Sequence, residues 1–262
     1  MPGRMLAEKD GAIGWMIFDH PERRNAVTQG MWLQIGEMLE DFAKDEAIRV
    51  VVLKGAGDKA FVSGADISQF GQQRRNAAEV AESNRLTTAA RQALATFAKP
   101  TIAMIQGYCL GGGLAIALMC DLRFASEDST FGIPAARLGV GYAAQSVGSL
   151  QALVGPAYTR EILFTGRRFN GDEAVRMGLV WRSAPRERLD VEAQAVIERF
   201  RGLSASALRL ARRTLRGAMR MPVHQAIVEA TDLQARSIPE MADAQEGLRA
   251  FVEKRPPVWT HR

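Results

Sequence analysis

The sequence predicts an α/β fold with a helical C-terminal region, and three observations lead there. Short apolar, β-branched runs alternate with helix-length amphipathic segments over the first half of the chain, the pattern of strands joined by crossover helices. The runs "RVVVLKGAG" (49–57), "TIAMIQG" (101–107) and "LRFAS" (122–126) are mostly apolar without strict alternation, which marks strands covered on both faces in a parallel sheet. From about Ala184 such runs stop, and the rest is helical in pattern and rich in arginine. The expected division is an α/β core over 1–195 and a helical part over 196–262.

Taken in order, "GAIGWMIFDHP" (11–21) reads as a strand closed by a turn. The segment 27–48 carries Met31, Ile35, Met38, Leu39 and Phe42 at helical spacing. A buried strand follows at 49–57, and "KAFVSGADI" comes directly after it. The polar stretch from Gln69 to Glu82 reads as a mobile loop or a helix start, then a helix runs to Phe97 ahead of Pro100. The strand at 101–107 leads into "CLGGGLAIALMCD" (109–121), where Gly111, Gly112 and Gly113 stand at the head of a buried helix. Consecutive glycines are poor helix formers, so something other than propensity places them.

The composition is that of a globular protein, with 47% hydrophobic and 24% charged residues among 262. No apolar stretch is long enough to span a bilayer and the first residues lack a signal-peptide pattern, so no membrane partner and a cytoplasmic location are expected. Cys109 and Cys120 read as small buried hydrophobes, and with no histidine motif beside them no metal is expected. The net charge is +5. The arginine-rich "RLARRTLRGAMR" (209–220) reads as a solvated helix face or as attraction for a small polyanion. No nucleic-acid module accompanies it, so no nucleic-acid partner is expected.

Two glycine turns carry the chemistry. "SGAD" (63–66) and "LGGG" (110–113) each follow an apolar run and precede a helix, where backbone N–H groups are unspent. Neither is a nucleotide motif. Two converging turns can present two N–H groups to one oxygen, which needs glycine because a side chain blocks close approach. The competing reading is glycine serving only tight packing of a helix on a sheet.

Five stretches decide further: "PERRNAV", "KAFVSGADISQF", "IQGYCLGGGLAIALMCDLRFASEDSTFGIPAARLGVGY", "GPAYTREILFTGRRFNGDEAVRMGLV" and "EGLRAFVEKRPPVW". Together, in this order and over nearly the whole chain, they resemble the enoyl-CoA hydratase/isomerase (crotonase) superfamily. The resemblance implies a crotonase-like spiral of ββα units with a helical C-terminal region for trimerisation, assembled as a homotrimer or a dimer of trimers. It implies an acyl-CoA thioester as ligand, with coenzyme A present only as part of the substrate and no permanently bound cofactor. The two N–H donors of the family's oxyanion hole fall on Ala65 and Gly112, which would hold the thioester oxygen as an enolate forms. Coenzyme A contacts fall on Arg23, Arg24 and Ala26, then on Ser63, Asp66 and Ile67, with Phe251 and Lys254 reaching the nucleotide end, often from a neighbouring subunit. Asp66 is also read as a turn-stabilising residue.

The sequence departs from that pattern at the acid/base positions. The two glutamates of the family's hydratases fall on Ala115 and Ala135, and an aspartate used by other members falls on Ala143. Each missing acid/base group removes about 10²–10⁴-fold of catalytic help. What remains is Tyr142, in a context similar to that of decarboxylating members, although these often carry a histidine where this chain has Ala65; the competing reading of Tyr142 is a residue that packs or hydrogen-bonds locally. Gln145 is a further polar candidate, able to orient a water. His20, His224 and His261 match no catalytic position; Glu127 and Asp128 read as exposed turn residues; Tyr158 and Glu161 as helix scaffold. The expected function is processing of an acyl-CoA through a thioester enolate. The alternatives are decarboxylation of a malonyl-type thioester, thioester hydrolysis, and a non-catalytic acyl-CoA-binding protein.

Overall fold

The structure, a computed structural model, describes residues 3–66, 77–220 and 222–260. The chain divides into two compact units, one of Met1–Phe97 and Thr101–Ala195, the other of Ala98–Pro100 and Val196–Arg262.

The first unit is built on two sheets. Strands β1 (Arg4–Asp10), β2 (Ile13–Asp19), β3 (Val50–Gly55), β5 (Thr101–Ile105), β7 (Leu122–Ser126) and β10 (Arg182–Ala184) form a six-stranded sheet in that order. All neighbours in it run parallel except the β1–β2 hairpin. Strands β4 (Ala60–Val62), β6 (Tyr108–Leu110), β8 (Thr130–Gly132) and β9 (Arg168–Asn170) form the second sheet. In it β4, β6 and β8 are parallel and β9 is antiparallel.

The two sheets are filled alternately along the chain. After β3 and β4 comes helix α2 (Ala77–Thr96); after β5 and β6, helix α3 (Gly112–Ala117); after β7 and β8, helix α4 (Ala144–Thr165). Each turn of the chain thus gives one strand to each sheet and then a helix, the ββα spiral that the resemblance implies. The strands of the second sheet are three residues long, too short for a periodicity to register, and sequence reasoning missed them. Strand β1 was missed because five of its seven residues are charged or exposed at the edge of the sheet.

Helix α1 (Gln29–Lys44) is shorter than the 27–48 pattern because Thr28 caps it, its hydroxyl accepting from Met31 N–H at 3.3 Å. Its buried stripe of Met31, Trp32, Ile35, Leu39 and Phe42 belongs to the main core, with Phe18, Leu53, Phe61 and Phe131. Burial of each such side chain contributes roughly 1.5–3 kcal/mol. Residues 69–76 of the polar stretch lie outside the described residues, and α2 begins at Ala77.

Helices α5 (Gly171–Arg176) and α6 (Leu189–Arg201) follow along the chain, and the second unit carries helices α7 (Ala205–Arg220), α8 (Val223–Glu240) and α9 (Ala242–Glu253). Buried Asp243 accepts from Ser204 and Ser206 hydroxyls through Oδ2 (2.6 and 3.0 Å), and from Thr260 N–H and hydroxyl through Oδ1 (2.8 and 3.0 Å). The arginines of 209–220 are not a purely solvated face: Arg212 is buried, whereas Arg213 is exposed and pairs with Glu229.

Candidate active site

Parallel pairing of β4, β6 and β8 brings the loops after these strands to one edge of the second sheet. Those loops are 63–66, the Gly111 turn into α3, and the 3₁₀ turn Pro134–Leu138. Ligands of α/β proteins bind outside the carboxyl ends of parallel strands for this reason.

The first loop is stitched to the turn around Arg24. Ser63 N–H donates to Arg24 C=O at 3.1 Å and Ser63 Oγ to Arg23 C=O at 3.2 Å. Val27 N–H donates to Gly64 C=O and Asp66 N–H to Val27 C=O, forming a parallel bridge opposite Ala65. That bridge uses the groups on either side of Ala65 and leaves its own N–H unspent. Gly112 is the first residue of α3, so its N–H has no partner within the helix. Among the described residues neither amide donates a hydrogen bond.

The two amides lie close together. A Cβ built on Gly112 would stand 3.4 Å from Ala65 N, and one on Gly64 would stand 3.9 Å from Gly112 N. Gly64 and Gly111 both have positive φ (127° and 50°). Gly113 serves the packing role, since a Cβ there would fall 2.0 Å from Val62 O. The glycines therefore do two different things: Gly113 lets α3 approach β4, while Gly112 leaves the space beside Ala65 N open. Helix α3 ends at Ala117, and Asp121 closes the segment by accepting from Thr101 N–H (2.7 Å) and Oγ1 (3.0 Å).

The alanines occupy the expected positions around these turns. Ala115 is buried in the first turn of α3, its N–H donating to Gly111 C=O at 3.0 Å. Ala135 lies half-buried in the Pro134–Leu138 turn, and Ala143 is the exposed N-cap residue of α4. Tyr142 is half-buried against the core and its hydroxyl donates to Gly111 C=O at 2.9 Å. Burial pushes its pKa up, the Cys109 thiol beside it adding to the shift and the Arg91 guanidinium opposing it. The phenol therefore stays protonated and is no base. Arg91, on α2, was missed by sequence reasoning. It lies over the Trp32 ring at 5.3 Å, and its buried Nε has no hydrogen-bond partner among the described residues. Burial lowers its pKa. Burial also pushes the Cys109 thiol far up, so Cys109 is inert, and neither it nor Cys120 is in a disulfide.

At the Arg24 turn, a cavity of about 290 Å³ is lined by Pro21, Arg24, Asn25, Gly57 and Lys59 among others. Arg24 (φ 51°) lies over the Tyr108 ring at 4.9 Å, and Arg168 over the same ring at 5.8 Å. Arg23 is exposed and Ala26 buried. Asn25, which sequence reasoning passed over, holds the turn together. Its Nδ2 donates to Ala56 and Ala60 carbonyls (3.0 and 2.7 Å) and its Oδ1 accepts from His20 N–H (3.0 Å). His20 is buried, with Nδ1 3.1 Å from Ala26 O. Asp66 is buried; Ile67 and His261 lie outside the described residues. Phe251 and Lys254 are exposed at the end of α9 in the second unit, and Gln145 is exposed in the first turn of α4. Glu127 and Asp128 are exposed, Asp128 pairing with Arg186, and Glu161 pairs with Arg167. No group of three or more potential metal ligands exists among the described residues. No helix among them is long and apolar enough to cross a membrane.

Residues 8–262 match the sequence profile of the enoyl-CoA hydratase/isomerase family. The chain belongs to the enoyl-CoA hydratase/isomerase family. It is 30% identical over 251 residues to a crotonyl-CoA hydratase of Syntrophomonas wolfei, covering 96% of this chain and 95% of that one. It is 30% identical over 257 residues to a carnitinyl-CoA dehydratase of Escherichia coli, covering 97% of each chain. The crystal structure of an enoyl-CoA hydratase/carnithine racemase from Magnetospirillum magneticum superposes with a TM-score of 0.90 at 32% identity, covering 98% of this chain and 96% of that one. The fold is the mixed α/β fold of the crotonase enzymes with a helical C-terminal region. As a member of the enoyl-CoA hydratase/isomerase family, the chain is an acyl-CoA-processing enzyme.

Proposed function

We propose that this enzyme holds the thioester oxygen of an acyl-CoA between the N–H groups of Ala65 and Gly112 and processes it through an enolate. The observation that carries this reading is the pair of unspent amides on adjacent glycine turns, with the Gly112 Cβ position 3.4 Å from Ala65 N. Two fixed N–H dipoles stabilise a negative oxygen without reorganising as charge develops. In this proposal Arg23, Arg24, Ala26, Ser63, Asp66 and Ile67 hold the coenzyme A portion. Phe251 and Lys254 reach its nucleotide end from a neighbouring subunit of a homotrimer or dimer of trimers. The three phosphates match the net charge of +5.

Within that reading we favour decarboxylation of a malonyl-type thioester over hydration. Hydration moves a proton to one carbon and hydroxide to the other, and Ala115, Ala135 and Ala143 move no protons. Decarboxylation needs no base. The bond between the α-carbon and the carboxylate breaks, its electron pair passes into the enolate, carbon dioxide leaves, and the α-carbon takes a proton from water. Arg91 favours the same choice. Its charge acts on the Tyr142 phenol, and its buried Nε lacks a hydrogen-bond partner among the described residues. A cation in that state suits an acyl group bearing its own carboxylate.

The test is turnover in deuterium oxide followed by mass spectrometry, with crotonyl-CoA, longer enoyl-CoAs, malonyl-CoA, methylmalonyl-CoA and a saturated acyl-CoA. Loss of carbon dioxide from malonyl-CoA or methylmalonyl-CoA, with deuterium at the α-carbon of the product, is the expected result. Gain of a water mass on an enoyl-CoA contradicts the decarboxylase reading and requires an acid/base pair elsewhere. Release of free coenzyme A moves the assignment to hydrolysis, with Gln145 as the residue to replace. Binding without turnover of any thioester contradicts the enzymatic reading.

A further inference from the structure

We propose that Tyr142 is a positioning residue: its hydroxyl locks the Gly111–Gly112 peptide so that the Gly112 N–H stays aimed at the substrate oxygen. The inference rests on the enolate reading above and assigns what keeps that site in order.

The glycines cost the turn rigidity. The peptide between Gly111 and Gly112 has no Cβ on either side. Gly111 is at φ 50°, ψ −111°, a conformation open to glycine. Turning the Gly112 N–H away from the site needs only rotation about Gly111 ψ and Gly112 φ, and glycine makes both soft. Side chains cannot stiffen the segment. A Cβ on Gly112 would take up the space beside Ala65 N, 3.4 Å away, and one on Gly113 would fall 2.0 Å from Val62 O. A peptide is planar, with C=O and N–H pointing in opposite directions. Fixing the Gly111 carbonyl therefore fixes the Gly112 amide.

Two donors occupy that carbonyl. One is Ala115 N–H at 3.0 Å, the first bond of α3, a helix of only six residues. The other is the Tyr142 hydroxyl at 2.9 Å, from a segment 31 residues further along the chain. The Tyr142 ring packs on the core, so the second bond ties the glycine turn to a fixed point outside it. A hydrogen bond to a peptide carbonyl also draws density from its nitrogen and makes the N–H a stronger donor. Phenol suits the role because burial keeps it protonated and donating.

The test compares wild type with Tyr142→Phe and Gly112→Pro in the full chain, using cinnamoyl-CoA, a chromophoric enoyl thioester. The absorbance red shift and the thioester carbonyl stretch of the bound probe report how strongly its oxygen is polarised. Kd is read with the same probe and kcat and KM with malonyl-CoA or methylmalonyl-CoA, with thermal unfolding as the fold control. For Tyr142→Phe the expected results are a red shift cut by about half or more, kcat lower by about 10–100-fold, and Kd and KM within about threefold of wild type. For Gly112→Pro the shift is expected to vanish. A second variant with p-aminophenylalanine at position 142 keeps the ring and a donor, and it is expected to retain the shift. It keeps the comparison available should Tyr142→Phe fold poorly.

An undiminished shift in Tyr142→Phe overturns the positioning role while the loss in Gly112→Pro leaves the enolate reading standing. Turnover lost from Tyr142→Phe with the shift intact also overturns it and makes the phenol a proton donor to substrate. A wild-type probe without any red shift, or one whose shift survives Gly112→Pro, overturns the enolate reading and this inference with it.

Discussion

Two neighbouring glycines separate stability from function at the scale of single residues. Gly113 faces the backbone of β4, where an added methyl would lie 2.0 Å from Val62 O and 2.8 Å from Val62 C. Backbone cannot yield as a side-chain end can. Gly113→Ala is therefore expected to lose at least about 3 kcal/mol or fail to fold, measured by chemical denaturation. Gly112 has ordinary φ, and its added methyl would make ordinary contacts with Ala65 N at 3.4 Å, Gly64 C at 3.5 Å and Gly64 Cα at 3.6 Å. Gly112→Ala is expected to keep stability within about 1 kcal/mol while turnover falls by about 10²-fold, because the methyl occupies the space beside Ala65 N–H. Equal stability losses in both variants would mean that the triplet serves packing alone. Both roles were legible in "LGGG" as competing readings, but which glycine performs which depends on the distance of each from β4. Asn25 illustrates the limit of such reading. Its three hydrogen bonds reach His20, Ala56 and Ala60, and no local pattern announces two of those partners more than thirty residues away. Tyr142 was legible as a candidate, but its partner Gly111 was not, for the same reason.

At the scale of elements, the long buried strands and α1 were legible because their periodicity and β-branched content extend over several residues. The second sheet was not, because each of its strands is three residues long and is held by neighbours far apart in sequence. The same holds for the C-terminal tail, whose sequence "EKRPPVW" shows no regular pattern. The tail is tied to α9 by Glu246, which accepts from Arg255 Nη1 (2.6 Å) and Nη2 (3.0 Å) and from Val258 N–H (2.9 Å). These bonds hold the Glu246 carboxyl down at about 2, against 4.5 for a free glutamate. Its folded pKa lies below its unfolded one, so its contribution is complete above about 4.5 and is lost as the pH falls toward about 2. Amide exchange at Val258 and Thr260 is expected to accelerate across that window, relative to the intrinsic rate at each pH. In Glu246→Gln the acceleration should be absent, with fast exchange already at neutral pH. Unchanged protection of Val258 down to pH 2 would show that Asp243 alone holds the tail.

At the scale of the whole molecule, the ββα spiral explains why a chain without acid/base carboxylates at the expected positions still carries an ordered site. Parallel register of β4, β6 and β8 places loops from residues 63, 111 and 134 at one sheet edge. The scaffold thus brings the two glycine turns together, and the Tyr142 hydroxyl on Gly111 C=O adds one tie from outside them. In the proposed arrangement these amides, and not a carboxylate or a metal, meet the thioester oxygen. The measurement that tests it most directly is a crystal structure of the protein with acetoacetyl-CoA bound. The account predicts the thioester oxygen about 2.7–3.1 Å from both Ala65 N and Gly112 N, with the Tyr142 hydroxyl still on Gly111 C=O. A thioester oxygen that lies away from either amide, or a Gly112 peptide turned so that its N–H points elsewhere, would contradict it.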